Sequence, residues 1–146
     1  EPSIIRALYE ASQAGVHIDL IVRGVCCLRP GVKGVSENIR VRSVVGRFLE
    51  HMRVYCFGAD AERKVFLSSA DWMDRNFFRR VEACFPLRDD ELAQRVYQEG
   101  IKSYLDDNTQ AWELLADGSY HQAKRRSKPH SAQQALLLEL ANTSDA

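Results

Sequence analysis

A short run of mostly apolar, branched residues constrains the fold more than any other feature of the chain. Residues 17–22 read His-Ile-Asp-Leu-Ile-Val, a pattern typical of a strand within a covered sheet. The segment before it, which ends at Gly15, has apolar residues at helical spacing, namely Ile4, Ile5, Leu8 and Ala11. A helix followed after a short turn by such a strand predicts an α/β fold.

The next segments are predicted as a loop and a helix. Residues 24–38 contain Pro30, Gly31, Gly34 and Ser36, which favour turns over a regular element. Residues 39–50 carry apolar side chains compatible with a helix, although many of them are β-branched. This interpretation places His51 at the end of that helix.

Further along, the sequence predicts strands and then helices. Residues 53–57 and 64–68 predict a hairpin around the turn-forming residues 58–60, and residues 80–85 predict a third strand. Asp89 or Asp90 can cap a long helix that continues to Leu105. Residues 131–140 predict a final short helix after a basic linker over 124–129.

Length and composition fit one folded domain. The chain has 146 residues, of which 45% are hydrophobic, enough for a real core. We predict a catalytic domain over 1–106 and a polar, basic helical tail over 107–146. No apolar run reaches the roughly 18 residues of a membrane span, and no basic-then-apolar leader is present. We therefore expect a cytoplasmic protein, with peripheral association to an inner membrane as the alternative.

Cysteine usage suggests neither a disulfide framework nor a metal site. The four cysteines, Cys26, Cys27, Cys56 and Cys84, include no CxxC pair. We interpret them as reduced thiols, and we assign no metal ligand.

Charge is balanced overall but uneven locally. Lysine plus arginine and aspartate plus glutamate number 20 each, so net charge selects no partner. Between residues 23 and 53, however, basic residues outnumber acidic residues by seven to two. The basic residues are Arg23, Arg29, Lys33, Arg40, Arg42, Arg47 and Arg53, and the acidic residues are Glu37 and Glu50. This excess predicts an anionic ligand, with a solvated basic face as the alternative.

Two side chains in this stretch are candidates for phosphate contacts. Arg23 follows the predicted strand, and open α/β sheets bind ligands at the carboxyl ends of their strands. Its guanidinium can direct two donors at phosphate oxygens. His51 can donate to phosphate or move a proton near neutral pH. Position alone favours the alternatives, which are a surface or ion-paired arginine and a structural histidine.

Other possible sites are less specific. The turn over residues 68–71, Ser-Ser-Ala-Asp, could direct hydroxyls and a carboxylate toward a pocket, or it could be an ordinary Ser/Asp turn. Neither a GxxxxGK[ST] loop nor a GxGxxG turn is present, so a P-loop or a Rossmann mechanism has no support.

Four segments carry a family resemblance. They are Arg23-Gly-Val-Cys-Cys-Leu-Arg-Pro-Gly31, Gly34-Val-Ser-Glu-Asn-Ile-Arg-Val41, Gly46-Arg-Phe-Leu-Glu-His-Met-Arg53, and Leu67-Ser-Ser-Ala-Asp-Trp-Met-Asp-Arg-Asn76 with Arg79-Arg-Val-Glu82 after it. Together they resemble the class-one polyphosphate kinases, densely from residue 4 to 86 and more loosely to residue 140. The chain looks like the last of four domains in that family.

The resemblance implies an activity, and it implies that this chain and the preceding domain contribute different residues to that activity. These kinases reversibly transfer the terminal phosphate of ATP to inorganic polyphosphate, with magnesium and through a phosphohistidine that lies in the preceding domain. By the family pattern, Arg23 and His51 contact nucleotide phosphates, and His51 supports catalysis without being the phosphorylated nucleophile. The implied partners are ATP, ADP, polyphosphate and the preceding domains, with a homo-oligomer possible and no specific nucleic acid. We expect the isolated chain to be inactive, and we assign it no cofactor of its own.

The same family is similar in fold to phospholipase D, which implies an α/β fold with a mixed sheet flanked by helices and leaves an alternative function. Phospholipase D uses an HxK motif, whereas this chain has His51-Met-Arg53, with Gly58 where the motif would place its aspartate. These departures from the motif argue against phosphodiesterase activity, and a phospholipase D-like phosphodiesterase is kept as one competing hypothesis. A noncatalytic module that binds polyanions through its basic stretch is another.

Overall fold

A computed structural model describes residues 1–59, 62–124 and 128–142. In this part of the chain the helices are α1 (Pro2–Gln13), α2 (Asp74–Arg79), α3 (Asp90–Tyr97), α4 (Ser103–Asp106) and α5 (Ala132–Asn142). The strands are β1 (Ile18–Ile21), β2 (Ile39–Val44), β3 (Val54–Phe57), β4 (Lys64–Ser68), β5 (Cys84–Pro86), β6 (Ala111–Leu114) and β7 (Tyr120–Gln122). A π-helical segment, Gln98–Lys102, connects α3 to α4.

The chain divides into two compact units. The smaller unit contains residues 50–103 together with residue 1, and the larger unit contains residues 2–49 and 104–146. Each unit has a sheet of its own, with strand order β1-β2-β6-β7 in the larger and β3-β4-β5 in the smaller.

The sheet of the larger unit is mixed. β1 runs parallel to β2, so that Ile18 lies opposite Ile39, whereas β2 and β6 pair in antiparallel fashion, as do β6 and β7. One buried cluster, Leu28, Ile39, Val41 and Leu114, packs against apolar residues of α1. A second cluster, Val44, Tyr104, Ala111, Ala123 and Ala132, packs against Leu136 of α5. Burying these side chains supplies most of the stabilisation of the unit.

The smaller unit is an antiparallel three-stranded sheet with short helices. β3 and β4 form a hairpin in which Val54 lies opposite Leu67, and β5 pairs with the other edge of β4. Val65 in the central strand is 1% exposed. The Asp89 carboxylate caps α3 by accepting a hydrogen bond from the Leu92 N–H at 2.8 Å.

Most of the predicted elements are confirmed. The first helix, the first strand, the hairpin, the helical stretch that begins after Asp89 and the final helix all form, within a mixed α/β architecture. The loop predicted over 24–38 likewise contains no regular element. Part of the predicted turn, residue 60, and residues 125–127 of the basic linker lie outside the described residues.

The helix predicted for residues 39–50 is wrong. Residues 39–44 form β2, in which Ile39, Val41 and Ser43 are buried at every second position. Their β-branched side chains suit a strand, and pairing with β1 outweighs a weak helical pattern. His51 consequently lies in the connection between β2 and β3 rather than at the end of a helix.

Two further predictions need correction. The third strand is shorter than predicted and is shifted, because β5 covers Cys84–Pro86 only. Residues 107–146, predicted as a helical tail, contain β6 and β7 as well as α5. Pairing with β2 makes these strands part of the larger unit's sheet. The boundary after residue 106, as a division between catalytic domain and tail, stays a prediction.

Candidate phosphate-binding site

Arg23 lies where the sequence predicts it, beyond the carboxyl end of β1. The pairing of β1 with β2 continues through the Val22 N–H, which donates to the Arg42 carbonyl at 2.8 Å. The hydroxyl of Ser43 then donates to the Arg23 carbonyl at 3.4 Å. Arg23 is an exposed residue, and its backbone is held against the sheet.

The loop after Arg23 is held by its own hydrogen bonds. The fully buried Ser36 hydroxyl donates to the Arg29 carbonyl at 2.6 Å and accepts from the Val32 N–H at 3.1 Å. Gly31 and Gly34 have φ values of 69° and 74°, a backbone conformation that favours glycine. The Pro-Gly and Gly-Val-Ser segments of the motifs thus have a local structural role, which is to fix the loop.

An apolar cleft of about 720 Å³ is lined by residues of this loop, beginning at Gly24. Its walls include Val25, Cys26, Trp112 and Tyr120. Burial raises the pKa of the Cys26 thiol, so this side chain stays protonated and packs as a small apolar group. Such a lining suits a flat, weakly polar group.

His51 and Arg53 are brought together in the smaller unit. The imidazole of His51 is exposed, and Arg53 lies just before β3 with its side chain 16% exposed. Nη1 of Arg53 donates to the backbone carbonyl of His51 at 2.7 Å, and it lies 2.9 Å from Nδ1 and 3.4 Å from Nε2 of the ring. One guanidinium group therefore contacts both the backbone and the ring of His51.

Asp71 holds this arginine in place. Its carboxylate accepts a hydrogen bond from Nε of Arg53 at 2.9 Å, and Arg75 lies 3.8 Å from its other oxygen. The hydrogen bond to Asp71 raises the pKa of Arg53 above its ordinary value, so this guanidinium remains charged. The turn that carries Asp71 is clamped as well, because the Tyr55 hydroxyl donates to the Ala70 carbonyl at 2.9 Å.

A second polar cluster surrounds Glu82. Its carboxylate accepts hydrogen bonds from the Ser69 hydroxyl and, at 2.6 Å, from the side-chain amide of Asn76. These bonds hold the pKa of Glu82 below its ordinary value. Asn76 is 4% exposed, and its side-chain oxygen has no hydrogen-bond partner among the described residues. The Ser-Ser-Ala-Asp turn is therefore ordered by contacts on both of its sides.

The basic stretch is not a continuous cationic surface. Arg40 pairs with Asp19 at 2.8 Å, Arg42 pairs with Glu113 at 3.0 Å, and Arg53 pairs with Asp71. The partners come from distant parts of the sequence, so counting charges between residues 23 and 53 overestimates the local field. Arg23 and His51 belong to different units, and each is exposed within its own unit.

Sequence reasoning named both phosphate candidates and noted that the Asp71 carboxylate could face a pocket, but it did not pair Asp71 with Arg53 and assigned no role to Arg53 or Glu82. One signal was available for Arg53, because a two-residue spacing in an extended segment places side chains on the same side. No comparable signal exists for Asp71 or Glu82, whose partners follow from the tertiary fold.

Metal ligands do not assemble within the described ranges of the chain. No group of three or more histidine, cysteine, aspartate or glutamate side chains there is arranged to hold an ion. Asp71 and Glu82 already accept hydrogen bonds from neighbouring side chains. Helices capable of crossing a membrane are also absent among residues 1–59, 62–124 and 128–142.

Comparison with known proteins identifies the family. Residues 1–134 match the family model described as polyphosphate kinase C-terminal domain 2, and the chain belongs to this family. The resemblance drawn from the four sequence segments is thereby confirmed.

Individual relatives agree with this assignment. The chain is 59% identical over 142 residues to a polyphosphate kinase from Xylella fastidiosa, covering 96% of the chain and 20% of that protein. It is 57% identical over 143 residues to one from Pseudomonas aeruginosa, covering 97% of the chain and 21% of that protein. The chain thus spans about a fifth of the length of these relatives.

A solved structure supports the fold. The crystal structure of polyphosphate kinase from Porphyromonas gingivalis superimposes with a TM-score of 0.91 at 38% identity, over 99% of the chain and 22% of that structure. The mixed α/β fold is therefore that of one region of a known polyphosphate kinase.

Proposed function

We propose that this chain is the carboxy-terminal part of a kinase that reversibly transfers the terminal phosphate of ATP to inorganic polyphosphate. In this proposal Arg23 and His51 contact nucleotide phosphates, and the phosphohistidine comes from a preceding domain of the same enzyme. The observation that carries the proposal is the exposed imidazole of His51, held by an arginine that is itself paired with Asp71. Phosphoryl transfer depends on such fixed, charge-compatible groups more than on covalent chemistry.

The geometry of Arg23 supports the same role. An exposed guanidinium beyond the carboxyl end of β1 can direct two parallel donors at phosphate oxygens. The ordered loop that follows fixes the backbone from which this side chain projects. His51 can donate a hydrogen bond to the same kind of oxygen.

Magnesium, which the family resemblance implies, has no ligand set in the described part of this chain. The carboxylates of Asp71 and Glu82 are occupied by arginine, serine and asparagine side chains. We therefore assign the metal no residue here and derive no step through it. ATP, ADP, polyphosphate and the preceding domains are the proposed partners, with a cytoplasmic location and a possible homo-oligomer as further predictions.

The test replaces each candidate by alanine in the full-length enzyme. We expect Arg23→Ala and His51→Ala each to lower the rate of polyphosphate synthesis roughly 100-fold, because each removes a donor to developing charge. Arg6→Ala and His17→Ala, which change exposed residues of the same types, serve as matched controls and should keep the normal rate. Normal rates in both candidate variants would overturn the proposal.

The isolated 146-residue chain provides a complementary test. We expect it neither to make polyphosphate nor to become phosphorylated, because the phosphorylated histidine lies elsewhere in the enzyme. A chromogenic phosphodiester tests the competing activity. Turnover by the chain that disappears in His51→Ala would replace the kinase proposal with a phospholipase D-like phosphodiesterase.

A further inference from the structure

The contact between Nη1 of Arg53 and the His51 ring is not an in-line hydrogen bond to a single ring nitrogen. Nη1 lies at similar distances from both ring nitrogens, 2.9 and 3.4 Å. It therefore meets the ring between these atoms instead of capping one of them in line. The same Nη1 donates to the His51 carbonyl at 2.7 Å. Arg53 thus contacts both the backbone and the ring of this residue and leaves the in-plane direction of each ring nitrogen unoccupied.

Asp71 makes that restraint rigid. Its carboxylate accepts from Nε of Arg53 at 2.9 Å, and Nε and Nη1 belong to one planar group. Fixing Nε therefore orients Nη1 toward His51. Arg53 is only 16% exposed at its side chain, so water competes weakly for its partly buried hydrogen bond to Asp71.

The position of Asp71 is fixed in turn by its neighbours. The Ala70 N–H donates to the Ser68 hydroxyl at 3.0 Å, and the Tyr55 hydroxyl donates to the Ala70 carbonyl. The ring of Tyr55 stacks on that of Trp72 with centroids 5.2 Å apart. A chain of contacts therefore runs from the β3–β4 hairpin through the Asp71 turn to Arg53.

We propose that Arg53 is a positioning residue for His51 and that Asp71 anchors it. This inference rests on the proposed function, in which His51 contacts phosphate. An exposed histidine otherwise samples several rotamers, and only some would direct a nitrogen at the transferring group. Arg53 holds the productive orientation and does not itself bind phosphate. Lysine cannot replace it, because an ammonium group lacks the planar fork that spans Asp71 and His51.

Steady-state kinetics of the full-length enzyme test the inference. We expect Arg53→Lys and Asp71→Ala each to lower kcat for polyphosphate synthesis roughly tenfold or more, while KM for ATP changes less. Asp71→Asn, which keeps an acceptor for Nε, should restore much of the rate lost in Asp71→Ala. The double variant should be little worse than either single one, because both changes break the same interaction.

A matched control and a second readout separate positioning from general damage. Arg95 forms an exposed pair with Glu99 in the same unit, and Arg95→Lys should leave kcat and KM unchanged. In the 146-residue chain, nitrogen and carbon NMR relaxation of the His51 ring should report one restrained orientation. Arg53→Lys and Asp71→Ala should each increase its motion while the backbone amide spectrum keeps its dispersion. Either variant suffices if the other fails to fold.

The outcomes distinguish this inference from the proposed function. A normal rate in His51→Ala overturns the proposed function, and this inference with it. A slow His51→Ala enzyme beside normal Arg53→Lys and Asp71→Ala enzymes overturns the positioning role alone. A raised KM for ATP with unchanged kcat in Arg53→Lys would also overturn it, because that pattern identifies Arg53 as a direct ligand.

Discussion

The two units of this chain use polar side chains in opposite ways. In the larger unit the buried polar residues bind backbone groups and hold segments of the chain together. Asp107 is the strongest example, because its carboxylate accepts from the N–H groups of Thr109, Gln110, Ala111 and Ala132 at 2.7 to 3.1 Å. It thereby ties the segment before β6 to the start of α5.

In the smaller unit the polar groups instead hold other polar side chains. Asp71 holds Arg53, Arg53 holds His51, and Glu82 is held by Ser69 and Asn76. Most of these groups are partly exposed, so they add little to stability but define where a charged ligand can bind. The comparison teaches that buried polar residues maintain the larger unit, whereas partly exposed ones arrange the candidate site in the smaller unit.

Removing the Asp107 carboxylate should produce the largest loss in the free energy of unfolding. Asp107 is 1% exposed, and Asp107→Ala leaves four N–H groups, two buried and two partly buried, without their acceptor. We expect the free energy of unfolding to fall by about 3 kcal/mol, measured by urea denaturation. Asp107→Asn should also destabilise the chain, because its amide nitrogen would face N–H donors.

The matched control for this prediction is Asp117→Ala. Asp117 is exposed and accepts hydrogen bonds from the backbone N–H and the hydroxyl of Ser119, so the loss should be clearly smaller. Equal losses in the two variants would contradict the view that buried polar residues maintain the larger unit.

Part of this architecture could be predicted from the sequence. The branched run before Arg23 and the hairpin of β3 and β4 follow from local pattern, since periodicity and turn residues encode them directly. The helix assigned to residues 39–50 failed because β2 gains its stability from pairing with β1 and β6, which no local window contains. β6 and β7 lie in a polar segment and were not predicted, because they too gain their stability from pairing, β6 with β2 and β7 with β6.

The candidate site was predictable to a similar extent. Arg23 and His51 were named from their motifs, and the structure places Arg23 beyond β1 as expected. The pairs of Arg53 with Asp71 and of Glu82 with Ser69 and Asn76 join residues 6 to 18 positions apart. Such pairs depend on the turn after β4 and on the ends of α2, so spacing in the sequence could not identify them.

A smaller effect is expected from the exposed pair of Arg40 and Asp19. Both side chains come from neighbouring strands of the larger unit, and that of Arg40 is 81% exposed. Because water and salt screen such a pair, Arg40→Ala should lower the free energy of unfolding by only about 0.5 kcal/mol. Unfolding at low and high salt should show this small loss shrinking further. A loss as large as that of Asp107→Ala would mean that exposed pairs also maintain this unit.

The smallest change in global stability is expected at Glu82, where the effect should appear in titration. Ser69 and Asn76 hold its pKa below the ordinary value of 4.5, so the ionised carboxylate favours the folded state above about pH 4.5. That contribution is lost as the pH falls through the lowered pKa of the folded state. Ser69→Ala removes the largest cause of the shift, so carboxyl NMR should show the Glu82 pKa moving back upward. Melting temperature at neutral pH should change little, because Glu82 is only partly buried. If Ser69→Ala instead destabilised the whole chain as strongly as Asp107→Ala, the polar cluster of the smaller unit would be structural, and the contrast between the units would not hold.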